Sequence, residues 1–302
     1  MTADRRYTVL EDRGLLAVGG EDRVQFLQGL VSNDVTKVGP ARAVYAAFLT
    51  PQGKYLHDFF ILHSGDAMLI DCEQARLPDL MKRLSLYRLR SKVTLEDCSD
   101  GLLVVALFGP GWRDGLDIGG HAGDAAALAG GIIYVDPRLA DAGGRAVVPR
   151  VGAAAALEAA GFAKGTPDEY DRLRLSLGLP DGSRDLIVDK SILLESGFDE
   201  LNGVDWQKGC YMGQELTART KYRGLVKKRL VPVVLMGPPP APGTQVTLNG
   251  RDAGELRSGI ATSDGGLGLA LMRLESLGEA ADGELEAGGV PLKPAKAPWM
   301  AF

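Results

Sequence analysis

The chain has 302 residues, of which 45% are hydrophobic and 24% are charged, a composition typical of a soluble globular protein. Its length suits about two domains and is sufficient for a sizeable core. The net charge of −5 argues against a general polyanion-binding surface, although a local basic patch stays open.

Cysteine usage and hydropathy predict where the protein works. Cys72, Cys98 and Cys210 lie far apart without a CxxC pair, which predicts no disulfide framework and indicates a reducing compartment. We expect Cys72 and Cys98 to be core residues. No secretory signal is visible, and the longest apolar run, Leu102 to Phe108, is shorter than the roughly 20 residues of a membrane helix. We therefore expect a cytoplasmic protein without membrane contact.

Short strands and helices succeed one another irregularly in the first part of the chain. Asp22 is the predicted N-cap of a helix that carries Val31, and the leucine spacing from Leu77 to Leu84 predicts an amphipathic helix. Apolar runs bounded by turn residues predict strands over 15–18, 45–49, 59–62, 68–70, 102–108, 132–135 and 145–148.

The clearest helix start lies at Thr166. Thr166 is the predicted N-cap, Pro167 the first helical residue and Glu169 the third, which together form a capping box. An alanine-rich helix is also predicted over 151–161. Because strands and helices do not alternate strictly, the pattern predicts an α+β fold.

The proline-rich stretch 237–243 marks the clearest change in composition, since no helix can cross it. Short strands follow at close spacing, and Asn249-Gly250 is a hairpin signal. With 231–235 as a first strand, this pattern predicts a small barrel or sandwich. We place the domain boundary near residue 230, which gives domains of residues 1–229 and 230–302.

Residues 203–229 carry the most informative chemistry. Cys210 follows Lys208 and Gly209; a nearby ammonium favours the thiolate, and glycine allows an unusual φ or a close approach to a ligand. A helix starting after Gly213 would favour the thiolate further. A lone cysteine is also commonly a small buried hydrophobe, and both interpretations of Cys210 stay open.

The same stretch is locally basic. Residues 205–229 contain seven basic and two acidic residues. This surface would attract a polyglutamate tail, a phosphate or RNA, or it is simply a solvated helix face beside an edge strand. The pair His57-Asp58 at the start of an apolar strand is either a site or a strand cap. No zinc motif, P-loop or complete dinucleotide fingerprint is present, and we predict no metal site.

Three stretches carry a family resemblance. Residues 208–215, Lys-Gly-Cys-Tyr-Met-Gly-Gln-Glu, and the following Leu-Thr-Ala-Arg-Thr of 216–220 closely resemble the signature of the YgfZ family of folate-binding-fold proteins, and most of all its mitochondrial branch. Residues 26–35 resemble the family's N-terminal motif, and residues 254–259 resemble the motif of a C-terminal barrel shared with the glycine-cleavage T-protein.

The resemblance implies a fold and a function. It implies an aminomethyltransferase-like, tetrahydrofolate-binding domain followed by a small C-terminal β-barrel. It implies an iron–sulfur cluster assembly or repair factor that supports [4Fe–4S] protein maturation and is not a classical enzyme. Its partners would be iron–sulfur assembly proteins or client [4Fe–4S] enzymes, together with a folate-type small molecule.

The resemblance also implies a set of site residues. Cys210 matches the family's key cysteine, and we assign catalytic roles to Cys210, Lys208 and Asp58, the last matching the catalytic Asp of the T-protein. Ser176 stands where the T-protein has a pterin-binding glutamate, and one hydroxyl does not copy a carboxylate that accepts two hydrogen bonds. The implied cofactor-binding residues are Tyr45, Asp71, Tyr211, Gln214, Glu215, Arg219 and Arg229.

Two other functions remain as alternatives. A tetrahydrofolate-dependent aminomethyltransferase is suggested by Tyr45 and Asp58 and opposed by Ser176. A tRNA-modification accessory protein is suggested by the basic stretch 205–229 and opposed by the acidic total charge, so we do not expect nucleic acid to be the main partner.

Overall fold

The computed structural model describes residues 5–279 and 284–302. By compactness the described chain divides into two units. The first unit comprises 5–49, 57–170 and 201–212, and the second comprises the remaining described residues, 50–56, 171–200, 213–279 and 284–302. Each unit is therefore assembled from segments that lie far apart in the sequence. The domain limits at residues 229 and 230 stay a prediction.

Among the described residues, eleven strands precede the strands of the barrel. In chain order they are β1 (Arg6–Val9), β2 (Arg13–Gly19), β3 (Val44–Leu49), β4 (Tyr55–Ser64), β5 (Ala67–Glu73), β6 (Thr94–Asp97), β7 (Leu102–Phe108), β8 (Ala125–Leu128), β9 (Gly131–Val135), β10 (Gly144–Pro149) and β11 (Ala163–Lys164). One sheet has the order β3-β4-β5-β2-β6 and the other the order β11-β1-β7-β10-β9-β8. In the second sheet β1 pairs parallel with β11, and its other pairs are antiparallel.

The helices are short and lie between the strands. They are α1 (Arg23–Gln28), α2 (Leu77–Arg88), α3 (Ala153–Ala159), α4 (Pro167–Ser176), α5 (Gly182–Asp185), α6 (Gln214–Tyr222) and α7 (Leu274–Glu279). The leucine stripe of α2 is buried at Leu77, Leu80 and Leu84, as its spacing predicts. Within the part of the chain that the structure describes, no helix has the length and apolar character needed to cross a membrane.

A closed six-stranded barrel follows in the second unit. Its strands are β12 (Lys228–Leu235), β13 (Gln245–Leu248), β14 (Arg251–Thr262), β15 (Gly265–Arg273), β16 (Leu285–Ala287) and β17 (Val290–Pro294). The predicted hairpin joins β13 to β14, with φ of 50° at Asn249 and 78° at Gly250, as a type I′ turn requires. The barrel is closed around inward-facing aliphatic residues such as Val233, Leu256 and Met272. The prediction of an α+β fold followed by a small barrel is confirmed.

The predicted N-cap of α4 is confirmed, and the predicted N-cap and extent of α1 are wrong. The Thr166 hydroxyl accepts from the amide of Glu169, and the Glu169 carboxylate accepts from the amide of Thr166, so the capping box is present. Asp22 does not cap α1 with its side chain, because that carboxylate accepts from the distant amide of Lys92. The helix also ends before Val31, which forms an isolated bridge to Phe48 instead.

Candidate functional site

The segment 205–212, here called the cysteine segment, carries Cys210 in the first unit. It has no regular secondary structure, yet both ends are fixed by backbone hydrogen bonds. Its first amide donates to the carbonyl of Ser32 over 3.0 Å, and the amide of Met212 donates to the carbonyl of Gly29 over 3.1 Å. The segment is therefore fastened to the residues that follow α1.

Lys208 adds a third and stronger attachment. Its Nζ donates to the carbonyl oxygens of Gln28, Val31 and Asn33 over 2.9, 2.7 and 2.8 Å. An ammonium has three donors, so none remains for the sulfur of Cys210. We predicted that Lys208 would stabilise the thiolate directly; the geometry gives it a positioning role instead. Burial lowers the pKa of Lys208 to about 8.

The aromatic ring next to this attachment is Tyr211. Its side chain is buried, and the Lys208 ammonium lies 5.2 Å from the centre of its ring, a cation–π distance. Tyr211 therefore shields the attachment of Lys208 within the first unit. Its predicted role in cofactor binding stays a prediction.

Cys210 is the exposed cysteine of the chain, whose three cysteines all lie among the described residues. Cys72 is buried, and burial raises the pKa of its thiol to about 12. Cys98 is half-buried and its pKa is raised mainly by burial, so it is less enclosed than predicted. Gly209 does not adopt a positive φ, and a Cβ placed there would meet no atom within 4 Å. Gly209 therefore has no unusual φ, and the close approach of a ligand there stays a prediction.

Tyr45 and Asp58 form a buried pair in the first unit. The hydroxyl of Tyr45, on β3, donates to Asp58 Oδ2, on β4, over 2.8 Å. Burial, and then the negative charge of Asp58, raise the pKa of Tyr45 well above its ordinary value. The guanidinium of Arg138 lies 5.6 Å from the centre of the Tyr45 ring. The two predicted residues are thus in contact, with a cation beside them.

A cavity of about 330 Å³ lies beside this pair. Tyr45 lines it, and so does the cysteine segment through Trp206. Asn33 fixes its wall, because its amide nitrogen donates to the backbone carbonyls of Tyr45 and Asn202 over 2.6 and 2.7 Å. One stretch of chain therefore both lines the cavity and presents Cys210.

Asp71 has a structural setting. It is fully buried, and it accepts from Arg13 over 2.7 Å, from Arg145 over 2.9 Å and from the Tyr134 hydroxyl over 3.0 Å. These bonds occupy both carboxylate oxygens and hold the pKa of Asp71 below its usual range despite burial. We predicted that Asp71 binds a cofactor; the geometry shows a carboxylate committed to two buried arginines.

The other predicted ligand residues belong to the second unit. Gln214, Glu215 and Arg219 lie on α6, where exposed Glu215 and Arg219 form an ion pair one turn apart. Arg229 donates to the carbonyl of Leu194 over 2.6 Å and to Glu200 over 3.0 Å. The guanidinium of Arg229 is therefore already partnered within its own unit.

Ser176 is exposed at the end of α4, and its hydroxyl donates to the carbonyl of Leu173 over 2.7 Å. This local bond does not replace a carboxylate that accepts two hydrogen bonds from a pterin. The residues present therefore fit a pterin incompletely.

Residue-by-residue reasoning missed Asn33, Arg138 and Asn202. Asn33 lies in the motif 26–35, which gave a signal without a role. Asn202 has a φ of 56°, a backbone state that asparagine tolerates better than most residues, and the dipeptide Asn202-Gly203 was a turn signal that could have found it. Arg138 forms an ion pair with Asp136 and is buried, which no composition or spacing in this stretch indicates.

Comparison with known proteins places the chain among its relatives. It is 36% identical over 293 residues to the mitochondrial iron–sulfur cluster assembly factor IBA57 of Mus musculus, covering 89% of this chain and 77% of that protein. The Homo sapiens protein of the same name is 36% identical over 288 residues with the same coverage. The chain belongs to the IBA57 family of iron–sulfur cluster assembly factors.

Comparisons with domain families and with solved structures agree with the fold of this IBA57 family member. Residues 11–121 match the family model of the GCVT N-terminal domain, and residues 227–302 match that of the CAF17 C-terminal beta-barrel domain. The fold resembles the glycine cleavage system aminomethyltransferase T from Bartonella henselae, with a TM-score of 0.79 over 99% of this chain and 87% of that one. At 15% identity, this likeness shows the fold alone.

The names of these IBA57 relatives correct one prediction. Both proteins are named as mitochondrial, so the prediction of a cytoplasmic location is contradicted and is wrong. The prediction of a cytoplasmic location depended on the unpaired cysteines. Unpaired cysteines indicate a reducing compartment, and this criterion does not distinguish the cytoplasm from other reducing compartments.

Proposed function

We propose that this chain is an iron–sulfur cluster assembly factor that supports [4Fe–4S] protein maturation, with Cys210 as its working residue. We also propose that it represents the mitochondrial-type branch of the YgfZ family, as its 208–220 signature implies. The observation that carries the proposal is the exposed Cys210 on a segment fixed at both ends and fastened by Lys208 to three carbonyls.

The geometry limits what Cys210 does. An exposed thiol on a fixed segment suits a nucleophile, a redox group or an iron ligand, each of which must meet a second molecule. One thiolate supplies one of the four ligands that iron–sulfur clusters usually take. A cluster held at Cys210 therefore needs further ligands from an assembly protein, a client enzyme or a small thiol.

Substitution of two of the three cysteines tests the proposal. Cys210→Ala is expected to leave the melting temperature unchanged and to lower the activity of [4Fe–4S] enzymes in cells that carry no other copy. Cys98→Ala is the matched control, because that thiol is half-buried and donates to the carbonyl of Leu15. Unchanged [4Fe–4S] enzyme activity in the Cys210→Ala cells would refute the role of this thiol.

We further propose that the cavity of about 330 Å³ takes a small molecule of the folate type. Its volume lies at the lower end of the range for small-molecule sites, and Tyr45 and Asn33 supply polar groups at its wall. Calorimetric titration with tetrahydrofolate, repeated on Trp206→Ala, tests this, because Trp206 lines the cavity. Binding by the wild type that Trp206→Ala weakens supports the proposal; absence of binding by the wild type refutes it.

An aminomethyltransferase remains the second candidate, favoured by the contact between Tyr45 and Asp58. That reaction would need tetrahydrofolate and a carrier protein for the aminomethyl group. Absence of turnover in a glycine-cleavage assay with purified partner proteins would eliminate it.

A further inference from the structure

A groove of about 870 Å³ lies in the first unit between α1 and the end of α2. Phe26 and Leu30 form its nearly buried floor, and Tyr87 and Leu89 form its wall. We call it the α1–α2 groove. Single exposed apolar residues are common on proteins, but an exposed apolar cluster beside a concave surface is typical of an interaction site.

Three apolar residues at the end of α2 are exposed to different extents. Leu86 is 68% exposed and Leu89 is 88% exposed, while Tyr87 is 39% exposed. Tyr87 and Leu89 line the groove, and Leu86 directly precedes Tyr87 without lining it. Folding of the chain buries little of Leu86 and Leu89 and more than half of Tyr87.

Leu89 is also held in an unfavourable backbone state. As the C-terminal capping residue of α2 it has a φ of 44° and a ψ of −108°, where glycine is the usual residue. The chain thus accepts conformational strain at Leu89 and gains almost no burial from its side chain. Burial of the Leu89 side chain within the monomer therefore does not offset this strain.

The α2 side of the groove is positively charged, whereas Asp22 lines its α1 side and accepts a hydrogen bond from the amide of Lys92. Residues 82–92 contain five basic and no acidic residues in a chain whose net charge is −5. Arg83 pairs with Asp79 and Lys92 pairs with Glu21. Lys82, Arg88 and Arg90 are exposed, and among the described residues no carboxylate lies within ion-pair distance of them.

The groove adjoins the attachment of the cysteine segment. Gly29 lines the groove, and its carbonyl accepts the amide of Met212. Leu30 also lines the groove and lies between Gly29 and Val31, the latter accepting a hydrogen bond from Lys208. A molecule seated in the groove therefore contacts the same short stretch that fixes Cys210.

We propose that the α1–α2 groove is the docking site for an acidic amphipathic helix of a protein partner, whose apolar face packs on Leu86, Tyr87 and Leu89 and whose carboxylates meet Arg88 and Arg90. Helices that bind in grooves present apolar residues at positions i, i+3 or i+4 and i+7, which suits a narrow apolar wall. Single-stranded RNA would require several stacking aromatic rings, whereas Tyr87 is the one aromatic ring on the exposed edge. The proposal rests on the proposed function only in taking the partner to be an iron–sulfur assembly or client protein.

The test uses the full chain and a synthetic probe. The probe is an amphipathic helical peptide with leucines at i, i+3 and i+7 and glutamates on both flanks; its control replaces every glutamate by lysine. We expect the acidic peptide to bind, as measured by fluorescence anisotropy, and to shift the methyl NMR signals of Leu86 and Leu89. The double variant Arg88→Glu/Arg90→Glu is expected to weaken binding at least tenfold.

Two variants keep the test specific. Arg223→Glu/Lys227→Glu alters a second basic surface beside exposed Tyr222 and Leu225 and is expected to leave peptide binding unchanged. Leu89→Gly is expected to raise the melting temperature, because glycine accepts the positive φ, and still to weaken binding. Any one of the following results would overturn the proposal. The lysine peptide binds as tightly as the acidic peptide, or Arg223→Glu/Lys227→Glu weakens binding as much as Arg88→Glu/Arg90→Glu does. Alternatively, the chain binds anionic lipid vesicles or an RNA oligonucleotide more tightly than the acidic peptide, and this binding depends on Arg88.

The same variants separate this proposal from the function of Cys210. Cys210→Ala is expected to retain peptide binding, and Arg88→Glu/Arg90→Glu is expected to retain the alkylation rate of Cys210. If Cys210→Ala cells keep full [4Fe–4S] enzyme activity while the groove variants lose peptide binding, the thiol's role fails and the docking site stands. If Cys210→Ala cells lose [4Fe–4S] enzyme activity but Arg88→Glu/Arg90→Glu does not weaken peptide binding, only the docking site is rejected.

Discussion

Lys208 Nζ donates a 2.7 Å hydrogen bond to the carbonyl oxygen of Val31, a residue 177 positions earlier in the chain. Two further carbonyls, of Gln28 and Asn33, receive its other protons. A charged donor with three backbone acceptors forms a strong and directional attachment. The position of the exposed thiol thus depends on a lysine that does not share a proton with it.

Removal of this lysine is expected to loosen the cysteine segment. Lys208→Met keeps the aliphatic stem and removes three charge-assisted hydrogen bonds, so we expect a loss of about 2 kcal/mol in the free energy of unfolding. Urea denaturation measures this loss, and hydrogen exchange should show faster exchange of the Met212 amide. Lys293→Met, at an exposed lysine of β17, is the control and should change stability by less than about 0.5 kcal/mol. Equal effects of the two variants would contradict an anchoring role.

His57 predicts a dependence of stability on pH. Burial, and next the charge of Arg76, lower its pKa to about 4 from an ordinary value of 6.5. Between these two values the unfolded chain binds a proton that the folded chain does not, so stability falls as the pH decreases from 6.5 to 4. The shift corresponds to about 3 kcal/mol at the acid end.

The comparison variant for this effect is His57→Gln, which does not titrate and can still donate to Asp79. We expect its unfolding free energy to fall less steeply between pH 6.5 and 4 than that of the wild type. His121→Gln serves as the control because His121 is exposed. Parallel pH profiles for wild type and His57→Gln would show that His57 titrates normally in the folded chain.

Local signals predicted local structure well. The capping box at Thr166 and the turn at Asn249-Gly250 were predicted from sequence because each depends on residues within one turn of each other. The helix that begins after Gly213 was predicted too, and α6 begins at Gln214. The attachment of the cysteine segment was not predicted, because the three carbonyls that hold Lys208 belong to a stretch that the chain left about 175 residues earlier.

Asp71 shows the same limit for a predicted ligand residue. Comparison with the T-protein pattern suggested that it binds a cofactor, yet its partners are Arg13 on β2, Arg145 on β10 and Tyr134 on β9. Only the pairing of distant strands brings these groups together. A sequence pattern reports which groups are polar, but burial and partners decide whether a carboxylate is free for a ligand.

Asp71→Asn is expected to destabilise the fold. It removes the carboxylate charge that Arg13 and Arg145 share, and loss of one partner of a buried ion pair typically costs about 3–5 kcal/mol. The free energy of unfolding in urea measures the loss. Asp66→Asn, an exposed residue in the turn between β4 and β5, should have almost no effect. Asp71→Asn with wild-type stability and impaired ligand binding would instead support the cofactor role.

The space beside Cys210 gives the last prediction. A methyl group at Gly209 would meet no atom within 4 Å, and φ there is not positive, so Gly209→Ala should leave the free energy of unfolding within about 0.5 kcal/mol of wild type. Gly213→Ala is the matched control: Gly213 has a φ of 80°, so alanine there should cost about 1 kcal/mol. If a cluster or partner reaches the thiol through this open space, Gly209→Ala lowers [4Fe–4S] enzyme activity in cells without loss of stability, which is the outcome we expect. Full activity in Gly209→Ala cells would mean that nothing approaches Cys210 from the side of Gly209.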